Sequence, residues 1–311
     1  MKRNVQNLIV TGGCGFMGSA FIRYLLKNPS FNGKIVNLDL LTYAGNLDNV
    51  IEIADDPRYA FVQGDIRDKI LILSLCERYS IDTIVHFAAE THVDRSIDNP
   101  LAFVETNVNG TVSLLEVVKE KKNIHFHQIS TDEVYGSLGE WGFFTEDSHY
   151  LPNSPYSAAK AAGDHFVRAY HKTYGISTTL SHSSNNYGPY QFPEKLLPLM
   201  ISRCLERKPL PVYGNGKNVR DWLFVDDHAE AVYAIITRGK SGEVYDIGGG
   251  NERTNLEFIS LLIDILSDLL NEPKESFNSL IEFVKDRPGH DYRYAIDSSK
   301  LQKELFWKPH H

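Results

Sequence analysis

Short apolar runs alternate with helix-like stretches through the first half of the chain. Leu8–Thr11, Lys34–Asp39, Ala60–Gln63, Thr83–Phe87 and His125–Ser130 are each brief and largely apolar. Strands covered on both faces of a parallel sheet read this way. The stretches between them carry helical spacing. After Leu8–Thr11 a glycine turn leads into a pattern through Phe21, Tyr24 and Leu25, and Gly110–Glu120 places Val112, Leu115 and Val118, with Leu114, on one apolar face. A longer helix is predicted over Ser157–Tyr174, stopping near Gly175, and the strand Ser177–Ser183 follows it. The alternation predicts an α/β architecture, a Rossmann-type doubly wound parallel sheet.

Beyond that strand lies the Asn-, Gly- and Pro-rich stretch Asn185–Pro193, after which the alternation weakens and loops lengthen. A smaller, partly interleaved C-terminal substrate lobe is expected there. Trp222–Ile236 and Glu243–Ile247 could return to the main sheet. The predicted organisation is therefore a Rossmann domain over 1–185, rejoined by 221–248, and a second lobe over 186–311. No internal repeat or low-complexity tract interrupts it.

Composition narrows the class of function. A chain of 311 residues can bury a substantial core. Its net charge of −8 argues against non-specific nucleic-acid binding, so an anionic ligand must be held by local basic residues or backbone amides. Cys14, Cys76 and Cys204 are far apart without metal-type spacing, which suits a reducing compartment. No metal site is predicted. Lys2 and Arg3 lead straight into the first strand, unlike a signal peptide, and no apolar stretch is long enough to span a bilayer. A cytoplasmic protein is expected.

The candidate chemistry starts at Gly12-Gly-Cys-Gly-Phe-Met-Gly18, which follows the first strand and opens the first helix. Missing Cβ atoms let the backbone turn tightly and approach a pyrophosphate at the positive end of the helix. Gly12, Gly15, Phe16, Met17 and Gly18 are thus candidate cofactor contacts. Asp39 ends the second strand about 20 residues after the last glycine, where a carboxylate can accept both ribose hydroxyls of an adenosine. A 2′-phosphate would meet like charge there, with no cation at Leu40 or Leu41, so NAD is favoured over NADP. Asp65 and Ile66 after the third strand, and Ala88 and Ala89 after the fourth, fall where the rest of the dinucleotide would lie.

Tyr156 and Lys160 stand one helical turn apart on one face. A nearby ammonium stabilises a phenolate, which lets the tyrosine take a carbinol proton near neutral pH. At the carboxyl end of the fifth strand comes Ser130-Thr-Asp-Glu-Val-Tyr-Gly136. Thr131 can hydrogen-bond the oxygen that Tyr156 deprotonates. Simple redox chemistry has no use for Asp132 and Glu133, so the pair suggests a further acid–base step, with Asp132 as acid and Glu133 as base. Loss of water next to a ketone needs both.

These stretches, with Leu41-Thr-Tyr-Ala-Gly-Asn-Leu47, Gly64-Asp-Ile-Arg-Asp68, Ala88-Ala-Glu-Thr-His-Val-Asp-Arg-Ser96, Ser184-Asn-Asn-Tyr-Gly-Pro-Tyr-Gln-Phe-Pro-Glu-Lys-Leu-Leu197, Asn218-Val-Arg-Asp-Trp222 and Asp286-Arg-Pro-Gly-His-Asp291, give the chain a resemblance. It resembles the extended short-chain dehydrogenase/reductase superfamily and, within it, the dTDP-glucose 4,6-dehydratases, from Thr11 to about Asp297. The glycine and Tyr/Lys motifs would fit epimerases and reductases too; the Thr-Asp-Glu triplet and the last two stretches are more specific.

The resemblance implies oxidation at C4 of a nucleotide sugar, loss of water across C5–C6, and return of the hydride to C6. It places Thr91, Asn185, Asn186, Lys195 and Leu196 near the sugar and phosphates, with His92 as a sugar neighbour or a supporting residue. It sets Pro211 and Tyr213 at the base, and Arg220, Asn255, Arg287 and His290 on phosphate, ribose or base. It further implies a homodimer that pairs helices around Val108–Lys121 and Ser157–Tyr174 into a four-helix bundle, a role in deoxysugar supply such as the rhamnose pathway, and a second lobe short at its C-terminal end. The alternatives are a dehydratase or 4-epimerase acting on a UDP- or CDP-sugar, and, more remotely, an NAD-sensing regulator that turns nothing over.

Overall fold

The computed structural model describes residues 2–311. Seven strands form one sheet in which every neighbouring pair is parallel. They are β1 (Asn7–Thr11), β2 (Lys34–Asp39), β3 (Tyr59–Gln63), β4 (Thr83–His86), β5 (His125–Thr131), β6 (Thr178–Ser183) and, after the smaller strands β7 (Asn185–Tyr187), β8 (Leu210–Tyr213) and β9 (Val219–Phe224), the late strand β10 (Val244–Ile247). The order across the sheet is β10-β6-β5-β4-β1-β2-β3. The chain winds outward from β1 to β3, then crosses back to β4 on the other side of β1. The carboxyl ends of β1 and β4 therefore flank a crevice of the kind that takes ligands in doubly wound sheets.

Both faces of the sheet are covered, which is why β1 and β4 read as largely apolar runs. The buried β5 and β6 instead pair polar side chains, such as His127 with Thr179 and Ser181. Helix Phe16–Lys27 seals one face with Phe21, Ile22 and Leu25 fully buried, alongside helix Val225–Arg238, which contributes Val232 and Ile235. Each such side chain contributes roughly 1.5–3 kcal/mol through burial. Helices Lys69–Tyr79, Thr111–Glu120 and Pro155–Tyr174 cover the other face. The second lobe has its own core around Met200, Cys204, Val212, Ile259 and Phe277. It carries two small sheets. One orders β11 (Glu252–Thr254), β9 and β7; the other pairs β8 with β12 (Ile281–Val284).

Trp222–Ile236 does not rejoin the main sheet as a strand. Its first residues belong to β9, parallel to β7, and the remainder is the helix Val225–Arg238. The reason lies at Asp221, a buried residue of β9 whose carboxylate accepts the backbone N–H groups of Gly249 and Asn251. That ties β9 to the loop after β10. Only β10 returns to the sheet, beside β6.

The helix carrying Tyr156 begins two residues earlier than its periodicity suggested. Ser154 and Ser157 form a reciprocal capping box and Pro155 occupies the first turn, where a missing N–H costs nothing. Gly163, unfavourable in a helix interior, is explained by close packing. A Cβ there would sit 2.9 Å from the carbonyl oxygen of Asn107. Asn107 lies in Val104–Gly110, a segment with π-type hydrogen bonding that runs directly into helix Thr111–Glu120.

Candidate active site

One continuous cavity of about 350 Å³ runs along the carboxyl ends of the strands. Its volume lies in the range of small-molecule sites. The glycine loop forms one end. Gly12 has φ +69°, and a Cβ there would lie 2.6 Å from the backbone nitrogen of Ala88; a Cβ on Gly18 would lie 2.3 Å from Gly12 O. Gly15 caps helix Phe16–Lys27 without a side-chain hydrogen bond, so the first-turn N–H groups have no side-chain acceptor of the chain's own. That is a cradle for a phosphate anion.

Asp39 closes this end. Its two oxygens accept the backbone N–H groups of Cys14 (2.9 Å) and Leu41 (2.8 Å), which fixes the carboxylate at the cavity wall. Burial pushes its pKa up while those two donors pull it down. The residues present fit NAD: a pyrophosphate cradle, a fixed carboxylate for the ribose, and Asp65, Ile66, Ala88 and Ala89 along the same wall.

The far side of that wall is held by a buried relay. Thr111 donates its hydroxyl to Asn107 O (2.7 Å), so its oxygen must accept from His86 Nε2 (3.2 Å). His86 Nδ1 then accepts from Thr11 Oγ1 (2.7 Å), which in turn accepts Ala88 N (3.2 Å). Burial drives the His86 pKa down to about 3, so the ring is neutral and this tautomer holds. Asn107 also clamps Glu90, donating to its carbonyl and accepting its N–H, each at 2.9 Å. The backbone of 88–90 is thereby set against the cleft.

Thr131, Asp132, Glu133, Tyr156 and Lys160 line the same cavity as the cofactor residues. Thr131 ends β5 and caps the 3₁₀ turn Asp132–Tyr135, accepting Glu133 N at 3.3 Å; its hydroxyl donates to Asp132 Oδ1 at 3.2 Å. The two carboxyls differ. Asp132 is only 2% exposed and its Oδ2 has no hydrogen-bond partner. Burial, then the charge of Glu133, push its pKa well above the usual carboxylate range, which favours its neutral form. Burial raises Glu133 too, but the guanidinium of Arg287, then Arg220 and Lys195, pull it back. One environment favours an acid and its neighbour a base.

The expected effect of Lys160 on Tyr156 takes a different form. Lys160 Nζ donates to Ile129 O at 2.7 Å, and at the phenol burial and the neighbouring carboxyls outweigh its charge. Burial, followed by the charge of Glu133, raises the Tyr156 pKa well above 10. A buried phenol among carboxyls needs more positive charge than one carbonyl-bound ammonium supplies, and an oxidised nicotinamide would add it.

From the second lobe, Asn185, Asn186, Lys195 and Leu196 reach the cavity, and Thr91 faces them from the Rossmann side. Lys195 Nζ donates to Thr91 O at 2.8 Å. His92 accepts Arg95 N as a helix cap and lies 3.8 Å from Glu194. Arg220, Tyr213, Arg287 and His290 do not line that cavity, though Arg287 and Arg220 stand near enough to act on Glu133. Arg220 is buried, donates to the carbonyls of Val219, Asp291 and Tyr292, and lies over the Tyr294 ring at 4.2 Å. Tyr213 and Arg287 both meet Asp94, at 3.0 and 3.5 Å, and His290 pairs with Asp286 at 2.6 Å. Pro211 sits in β8, and Asn255 opens helix Asn255–Leu270, with its N–H donated to Asn218 O.

Four residues escaped the motif reading. Asp94, inside a quoted motif, bridges the lobes, and Asn107, which lies in none, fixes the 88–90 backbone. Tyr43 and Glu194 lie inside quoted motifs but act through each other, with Tyr43 OH donating to Glu194 at 3.1 Å. Phe192 meets the Tyr43 ring edge-on at 5.6 Å, and Arg95 stacks on it at 3.7 Å. Nearby, Tyr190 OH donates to Glu52 at 2.9 Å under the guanidinium of Arg23. These contacts strap the loop 188–195 onto the Rossmann loops at the rim of the cleft.

Comparison with known proteins follows the same lines. The family model for GDP-mannose 4,6 dehydratase matches residues 9–311. The dTDP-glucose 4,6-dehydratase of Salmonella typhimurium is 49% identical over 323 aligned residues, covering 98% of this chain and 88% of that protein. Among solved structures, the dTDP-glucose 4,6-dehydratase of Bacillus anthracis in complex with NAD aligns with a TM-score of 0.89 and 48% identity, covering 99% of this chain and 92% of the other. The Streptomyces venezuelae dTDP-glucose 4,6-dehydratase, with NAD bound, gives 0.92 and 46%, covering 98% and 92%.

Proposed function

The chain belongs to the GDP-mannose 4,6-dehydratase family, and we propose that it is an NAD-dependent dTDP-glucose 4,6-dehydratase. It is a hydro-lyase that converts dTDP-glucose to dTDP-4-keto-6-deoxyglucose. The observation that carries the reading is the split carboxyl pair at Asp132 and Glu133, in one cavity with Tyr156 and the glycine cradle. A 4-epimerase needs the phenol and the cofactor but has no work for two carboxyls of opposite protonation. A sensor of the NAD/NADH ratio needs neither phenol nor pair.

In this reading Thr131 orients the C4 hydroxyl and Tyr156 takes its proton. Glu133 removes the C5 proton, acidified by the adjacent ketone, while Asp132 protonates the departing C6 hydroxyl, which leaves as water. NAD, when bound along the Gly12–Asp39 wall, would supply the hydride acceptor at the first step and the hydride donor to C6 at the last. Glu133 then returns its proton to C5, and the proton taken by Tyr156 restores, through solvent, the one Asp132 gave to the leaving water. Tyr156, Lys160, Gly12, Gly15, Phe16, Met17, Gly18, Asp39, Asp65, Ile66, Ala88 and Ala89 would hold it.

Catalysis then requires the reduced cofactor to stay in place while the sugar loses water, and the strap of Tyr43 with Glu194 and Tyr190 with Glu52 supports that need. Asn185, Asn186, Lys195 and Leu196 would contact sugar and phosphate. Arg220 and Arg287 would offer guanidinium forks to the diphosphate, with Asn255, His290, Pro211 and Tyr213 toward ribose and base.

We further infer a homodimer built from helices Thr111–Glu120 and Pro155–Tyr174, supported by the exposed Phe166 and Tyr174 on the second of them. A cytoplasmic enzyme of deoxysugar supply, rhamnose among the products downstream, fits three free buried cysteines; among the described residues, no helix is long and apolar enough to cross a membrane. The test is incubation with dTDP-glucose, UDP-glucose and UDP-N-acetylglucosamine, followed by mass spectrometry. Loss of one water from dTDP-glucose is expected. Inversion of UDP-glucose at C4 without a 4-keto-6-deoxy product would overturn the proposal.

A further inference from the structure

Asp164 lies one helical turn beyond Lys160, and its side chain is wholly buried. Its Oδ2 accepts Ser130 Oγ at 2.6 Å and faces His182 Nε2 at 3.4 Å, while its Oδ1 has no partner. His182, also wholly buried, meets Asp246 Oδ1 at 3.0 Å through Nδ1. Tyr150 hydrogen-bonds its Nε2 at 2.7 Å and Tyr135 its Nδ1 at 2.8 Å. This network spans β5, β6, β10 and the Tyr156 helix. The proposed reaction assigns it nothing.

Stability is a poor reason for such a cluster, because buried ion networks are often no better than apolar packing. Its attachments suggest another. Ser130 directly precedes Thr131, Tyr135 ends the turn that carries Asp132 and Glu133, and Asp164 shares a helix face with Tyr156 and Lys160. The network is thus joined to each element that bears a candidate catalytic group.

We propose that Asp164, held against His182, is a positioning residue that sustains the ammonium charge of Lys160 and so sets the pH range over which Tyr156 works. The proposal rests on the dehydratase reading. Of the groups around that lysine, His86 from β4 is neutral and β5 offers only the Ile129 carbonyl; Asp164 is the charge that sustains the ammonium against burial. Around Asp164 itself stand Ser130 from β5, His182 from β6 and Tyr150 from the loop before the helix, with Asp246, Glu146 and Arg168 one contact further out.

The sign of the effect follows. Asp164 favours charge on Lys160 and disfavours it on the Tyr156 phenol. Asp164→Asn should therefore let both groups lose their protons at lower pH. The measurement is the pH profile of the first half-reaction, the absorbance of reduced cofactor formed when dTDP-glucose meets the NAD-loaded protein. In D164N the whole profile should move to lower pH, its alkaline limb by about one to two units.

H182N leaves two like charges in a dry interior, one of which must take a proton, so its alkaline limb should move the same way by less. D246N keeps Asp164 charged and paired and should leave the limb in place. A purely structural role would instead lower the plateau at every pH and leave both limbs unmoved.

Lys160 is read separately by titrating its ¹³Cε resonance in lysine-labelled protein, with the resonance assigned by comparison with K160R; it should titrate lower in D164N. If D164N does not fold, H182N against D246N decides. Unmoved limbs together with an unmoved Lys160 resonance would overturn the proposal. A wild-type protein that converts no nucleotide sugar would sink the dehydratase reading, while the lysine titration would still judge Asp164.

Discussion

Replacing Glu133 by glutamine should separate the two halves of the reaction. The change removes the proposed base for C5, and general-base catalysis typically contributes about 10²–10⁴-fold. Turnover should fall by that factor, roughly 3–5 kcal/mol of barrier. The oxidation should respond in the opposite direction. After burial, the charge of Glu133 is the largest influence holding the Tyr156 phenol in its neutral form. Two unit charges ~6 Å apart at an effective dielectric of ~20 interact by about 3 kcal/mol, the equivalent of roughly two pH units. The acidic limb of the oxidation should therefore move to lower pH by up to that amount. Stopped-flow absorbance at the reduced nicotinamide band, after mixing with dTDP-glucose, reads both effects. Reduced cofactor should rise toward one equivalent per site and persist, while product detected by mass spectrometry lags by two orders of magnitude or more. Normal dehydration in the variant would refute the base assignment. Loss of turnover with no reduced cofactor at all would refute the separation of roles.

Tyr156→Phe should abolish the rise of reduced cofactor altogether while leaving bound NAD, measured in the protein as purified, close to one per chain. Gly12→Ala places a side chain at φ +69° and 2.6 Å from Ala88 N; the left-handed backbone alone costs about 1–2 kcal/mol, and NAD affinity by calorimetry should drop at least about tenfold. Tyr43→Ala removes the Glu194 hydrogen bond and the Arg95 stack, and release of reduced cofactor by fluorescence should quicken about tenfold. Wild-type release rates in that variant would remove the strap from the account. Two carboxylates outweigh burial at His182 and lift its pKa to about 9 from 6.5. Its contribution to stability, on the order of 3 kcal/mol, is therefore complete below pH 6.5 and lost as pH rises through 9. Denaturant midpoints should fall across that window in wild type and stay level in H182N.

Much of the site was legible before any coordinate because its parts are local. A glycine loop between strand and helix, a carboxylate at the end of the next strand, and a Tyr/Lys pair one turn apart are each dictated by backbone geometry over a few residues. The Thr-Asp-Glu run was legible for the same reason, since neighbours on a turn share one environment. The seven-stranded sheet was announced by short, largely apolar runs, because strands covered on both faces need not alternate. The difference at Trp222–Ile236 arose where a short run of either kind reads alike, and where a buried Asp221 bonded to the 249–251 loop decided the matter.

The sequence by itself pointed to the kind of chemistry: a glycine cradle for a dinucleotide, a Tyr/Lys pair, and two adjacent carboxyls, all of which line one cavity. Only the tertiary structure decided which carboxyl is the more readily protonated, because that depends on Arg287 and Lys195 arriving from the second lobe beside Glu133, while Arg220 acts on both. It likewise decided that Lys160 bonds a carbonyl, that Asp164 meets His182, and that Tyr43 reaches Glu194 across 151 positions of chain. Protonation and closure are properties of distance and burial in three dimensions. No local pattern encodes either one.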